Sequence, residues 1–119
     1  MEDKAWGDNL FALLLKLKSA FRDFLLVPDE HKEEQDAALM EMKRAAARLY
    51  QGIQLACAQG WTVVLYSHRG GGRRHEIRTP GPLNPDGITM FYSSQPQTHD
   101  CLSACVLLGA DWLEVITSA

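Results

Sequence analysis

Two styles of hydrophobic pattern succeed one another along the chain, and the change falls at Gly60. Before it the apolar residues recur at helical spacing. At about 100° per residue, Leu10, Leu13, Leu14, Leu17, Ala20, Phe21, Phe24 and Leu25 fall on one broad face, which predicts an amphipathic helix over residues 9–26. Asp8 or Asn9 is suited to cap its start, and Pro28 ends it, because a residue preceding proline is pushed out of the α region. Phe11, Leu15 and Leu26 lie beyond that face on an adjacent stripe, interleaved with Lys18 and Arg22. Together these side chains exceed what one packed neighbour covers. A second helix is predicted over residues 29–59, with Gly60 at the left-handed position that closes a helix. Glu30, Glu33, Glu34 and Asp36 come early and Lys43, Arg44 and Arg48 later, the charge order that the helix dipole favours. Leu39, Met42, Ala46, Leu49, Ile53 and Ala56 alternate at spacings of three and four, a heptad-like seam. At 1.5 Å per residue this helix is about 45 Å long and outreaches the first, which predicts an overhanging hairpin or pairing with a second copy, and so a homodimer.

After Gly60 the period changes. Residues 61–67, Trp-Thr-Val-Val-Leu-Tyr-Ser, are β-branched and aromatic and predict a central buried strand. Residues 68–74 hold three consecutive glycines and read as a turn, with an antiparallel strand returning over 75–79. A proline-punctuated loop over 80–87 leads to a third strand over 88–93, which makes a meander. Thr98 is placed to cap a short helix through Leu108, closed by Gly109, and residues 112–117 alternate as a last strand. The fold class is therefore α+β: an N-terminal two-helix hairpin packed on a small, mainly antiparallel sheet, with one short C-terminal helix. A length of 119 residues is one domain's worth, with a helical half over 9–59 and a β-rich half over 61–117.

Composition narrows the function more than the fold. With 46% hydrophobic and 23% charged residues the chain is an ordinary globular one. A net charge of −3 provides no global basic field to gather nucleic acid or anionic lipid. The acidic N-terminus lacks the basic and apolar regions of an export signal, and the apolar run over 10–17 is too short to span a bilayer. Cys57, Cys101 and Cys105 are an odd set, which favours reduced thiols and a cytoplasmic location.

Candidate chemistry is sparse. The segment 61–79 sets Arg69, Arg73, Arg74 and Arg78 against Glu76 alone, with His68 and His75 beside them. Arginine forks and glycine backbone N–H groups suit phosphate, so His68, Arg69, Arg73, Arg74 and Arg78 form an alternative anion site for a nucleotide or nucleic acid. The P-loop spacing is absent, and arginines on a solvated hairpin tip equally deter edge pairing. His99, Cys101 and Cys105 lack a fourth zinc ligand at finger spacing and read as buried thiols, so no metal or other cofactor is called for. Ser67-His68 and His99-Asp100-Cys101 hold nucleophile-type residues as chain neighbours, whose side chains do not meet, and no catalytic residue is assigned.

The apolar stripe on the first helix is the strongest functional sign, since an exposed patch of this kind marks an interface. Helix-in-groove recognition would use Phe11, Leu14 and Leu15 as anchors, with Lys18 and Arg22 at the polar rim. The same stripe would be ordinary core if the sheet packs over it. In size, acidity and plan, with its apolar first helix near Leu10 to Leu26, long second helix and compact β-rich tail, the chain resembles the LuxR-type quorum-sensing anti-activators of bacteria. That resemblance implies a homodimer that binds a LuxR-type transcription activator and blocks its dimerisation and DNA binding. It carries over no residue by motif. The expectation is a non-enzymatic regulatory binding protein that sequesters a protein partner through its first helix, outside the membrane.

Overall fold

The structure, a computed structural model, describes residues 3–68, 73–78 and 108–117. Two helices, α1 (Asp3–Leu26) and α2 (Lys32–Ala58), precede a three-stranded antiparallel sheet of β1 (Trp61–Ser67), β2 (Arg73–Ile77) and β3 (Trp112–Thr117). The strand order is β2-β1-β3, so β1 is central as its composition predicts, and the α+β class stands. The expected strand over 88–93 lies outside the described residues. So does the expected C-terminal helix, apart from Leu108 and Gly109, which are helical.

The hairpin forms because the broad face of α1 and the seam of α2 bury each other. Leu10, Leu14 and Leu17 meet Met42, Ala46, Leu49, Ile53 and Ala56 in one core, joined from the sheet by Val63, Leu65 and Leu113. Each fully buried leucine contributes about 1.5–3 kcal/mol of transfer free energy. The seam of α2 is thus consumed within the chain. At 24 and 27 residues the helices are also closely matched, about 36 and 40 Å, so neither an overhang nor the seam supplies a reason to dimerise.

Several boundaries differ from the expectation, each for a tertiary or local reason. Helix α1 begins at Asp3, ahead of the expected Asp8 or Asn9 cap, and Trp6 in its first turns stacks edge-on against Trp61 at 5.6 Å. That contact rewards helix upstream of any capping signal. Helix α2 begins at Lys32 rather than Asp29, because the His31 N–H donates to the Pro28 carbonyl at 3.0 Å and residues 28–31 make the turn. Gly60 has φ +85°, as its closing role requires. Leu25 is exposed rather than part of the buried face. Strand β2 starts two residues early, its Arg73 and Arg74 paired opposite Ser67 and Tyr66 rather than lying in the expected turn.

The helices approach most closely at Gly52. A Cβ there would overlap Leu10 Cδ2, and Leu10 is itself buried. Gly52→Val therefore overpacks the hairpin and is expected to lower stability by about 1–3 kcal/mol. Urea denaturation followed by circular dichroism checks this; an unchanged midpoint would contradict the close approach.

Candidate functional site

Helix α1 presents its second stripe to β3. Phe11 packs on Trp112 with ring centroids 4.5 Å apart and planes tilted by 48°. Two turns further on, Lys18 Nζ donates to the Ala110 carbonyl at 2.8 Å and to Asp111 Oδ1 at 3.1 Å. Leu15 lies between these anchor points, one turn from each, and is 50% exposed. Trp112 is 46% exposed, and Phe11 is partly buried beneath it. The result is an apolar ridge of Phe11, Leu15 and Trp112 along the junction of a helix and a strand, with exposed Arg22 further along α1.

The expected contact residues therefore meet three fates. Leu14 is completely buried in the core and offers no surface to a partner, since it points to α2 with Leu10 and Leu17. Lys18 does not orient a partner from the rim; it fastens the start of β3 to α1. Phe11 and Leu15 remain on the ridge. Trp112 joins them across about a hundred residues of sequence, and no local spacing could announce that pairing.

Asp111 is the hub beneath the ridge. Its Oδ2 accepts the His68 backbone N–H at 2.8 Å, the His68 ring Nδ1 stands 3.4 Å away, and the Asp111 N–H donates to the Tyr66 carbonyl at 2.7 Å. The His68 N–H first, then the Lys18 ammonium, hold the Asp111 carboxyl below its usual range. The Tyr66 hydroxyl donates to Glu114 Oε1 at 2.5 Å, and this acceptor, more than burial, raises the phenol above its ordinary value. The Arg74 guanidinium lies 5.8 Å from the Tyr66 ring centre and pulls the other way.

The alternative anion site is only partly described. Arg69 lies outside the described residues, and Arg73 is placed only as a strand position. Arg74 and Arg78 flank Glu76 at 3.1 and 3.7 Å, and His68 faces Asp111, so three of the five groups already have anionic neighbours. Burial pushes the Cys57 thiol up, and it donates to the Ile77 carbonyl at 3.4 Å, which ties the end of α2 to β2. Among the described residues no cluster of His, Cys, Asp or Glu is arranged to hold a metal, and no helix is long and apolar enough to cross a membrane. His99, Cys101 and Cys105 lie outside the described residues.

Compared with known proteins, the chain matches no family model, no curated protein and no solved structure. The resemblance to LuxR-type anti-activators thus rests on size, acidity and plan alone.

The Asp111 hub sets a pH dependence. Its carboxyl titrates lower in the folded chain than in the unfolded one, so its contribution is complete above about pH 4 and is lost as pH falls through the lowered folded value. Asp111→Asn is expected to start less stable at neutral pH and to lose less on acidification. Urea midpoints of both proteins at neutral pH and at about pH 3 test this; parallel losses would show that Asp111 is not part of the acid response.

Proposed function

We propose that the protein is a non-enzymatic binding protein that captures a protein partner on the ridge of Phe11, Leu15 and Trp112. The observation that supports this reading is the half-exposed Trp112 laid on Phe11 beside the half-exposed Leu15. Two large aromatic side chains already ordered by their mutual packing, with a leucine one turn along the helix, lose little further entropy on docking. Tryptophan is among the residues that dominate interface energetics. Arg22 supplies a cation further along the same helix for the polar rim.

The partner implied by the family resemblance is a LuxR-type transcription activator, held so that it neither dimerises nor binds promoter DNA. That identification rests on the resemblance; the capture role rests on the ridge.

Leu15→Asp is the informative variant, because Leu15 is half-exposed and its replacement leaves the core intact. A tagged full-length chain is used to capture proteins from the cytosol of its source, with retained proteins identified by mass spectrometry. The expected result is one transcription regulator retained by the wild type and lost with Leu15→Asp at an unchanged melting temperature. The purified chain then releases that regulator from labelled promoter DNA. Retention of nothing specific, or equal retention by the variant, would overturn the ridge as the capture site.

A further inference from the structure

The two helices enclose a groove of about 450 Å³ that has no part in the ridge and is lined by helix residues alone. Its floor is shallow and mostly small: Leu13 and Ala20 from α1, Ala38 and Ala45 from α2. Charge is distributed unevenly along it. Lys16, Arg44 and Arg48 line one end, and Asp23 and Glu41 stand toward the other, where exposed Glu33 and Glu34 in the first turn of α2 continue the acidic side. Arg44 and Glu41 meet at the middle, 2.8 Å apart. Lys16, Asp23 and Arg48 form no ion pair among the described residues.

From this charge order we infer that the groove seats a second copy of the chain, docked antiparallel about a two-fold axis. A two-fold interface must be complementary to itself. Turning a copy end for end sets its Lys16, Arg44 and Arg48 against Asp23, Glu41 and Glu34 of the first, and the converse at the other end. A small anion would meet Asp23 and Glu41, and a small cation would meet the three basic groups. A second copy supplies both signs in the order required. The alanines of the floor let facing helices approach to roughly 8–10 Å, so that Leu13 and the alanine methyls lose water together. Exposed ion pairs contribute little singly, so the apolar floor holds the pair and the charges select the antiparallel register. This interface uses Leu13, Lys16, Ala20 and Asp23 of α1 and leaves the Phe11–Leu15 ridge free.

Sedimentation equilibrium of the full-length chain tests the inference. The wild type is expected to be a dimer at micromolar concentration, weaker at about 500 mM than at about 50 mM salt because the charges at the groove's edges are screened. Arg44→Glu with Arg48→Glu sets acid against acid and is expected to weaken the dimer roughly a hundredfold. Asp23→Lys with Glu41→Lys does the same with base against base, and mixing the two variants restores a heterodimer. Ala37→Trp, a neutral change at an exposed groove position, blocks docking without altering charge. Circular dichroism of each variant confirms that it is folded, and Leu15→Asp leaves the dimer intact. A wild type that stays monomeric to several hundred micromolar overturns the inference. So does a dimer indifferent to both double reversals and to Ala37→Trp, or a mixture of the two reversed variants that stays monomeric.

Discussion

Helix α1 has to bury two stripes at once, and the arrangement of the other elements follows from how it does so. Leu10, Leu14 and Leu17 point to α2, and Phe11 and Lys18, each one position further along the chain, point to β3. One residue is about 100° of helix, so the two partners stand roughly at right angles around the same rod. The sheet cannot slide along the hairpin without breaking either the Trp112 stack or the Lys18 bracket. Because β3 is laddered to β1 from Trp61↔Thr117 to Tyr66↔Trp112, fixing β3 on α1 also fixes the central strand over α2. The Lys18 contacts bridge 92 and 93 positions of sequence, so closing this fold brings together the two ends of the described chain.

Polar groups finish what packing begins. Asp111 gathers an ammonium from α1, a backbone N–H from the end of β1 and its own backbone bond to Tyr66, so one short carboxylate ties three segments. Tyr66, Glu114, Arg74 and Glu76 interleave donors with acceptors across all three strands. The arginines that look like an anion trap in the sequence are, where described, alternated with glutamate by the period-two geometry of β2. Their field is therefore weaker than their number suggests, and the apolar ridge is the better-supported contact surface.

On the readings proposed, α1 serves three neighbours with three faces: the core with Leu10, Leu14 and Leu17, a partner protein with Phe11 and Leu15, and a second copy with Leu13, Lys16, Ala20 and Asp23. A helix laid on the outside of a small fold can do this because its side chains radiate in every direction, whereas each strand residue has only two faces to choose from. The two outward faces differ in character. The ridge is apolar and aromatic, suited to a partner with a cleft; the groove is mixed in charge and self-complementary, suited to symmetry.

The amino-acid sequence by itself determined what depends on neighbours within a few positions. The amphipathic faces of both helices, the seam from Leu39 to Ala56, the break at Pro28, the left-handed Gly60, and the strands over 61–67 and 112–117 were all legible, because periodicity and local backbone preference decide them. The stripe of Phe11 and Leu15 was legible as surplus apolar surface. Its fate was not: that Lys18 turns to Asp111 and that Trp112 completes the ridge were decided by the tertiary structure alone. The same holds for the early start of α1 on Trp61 and the early start of β2 at Arg73. Each of these rests on contacts between residues far apart in the chain or across strands, and their energy depends on how the elements pack rather than on any spacing within one of them.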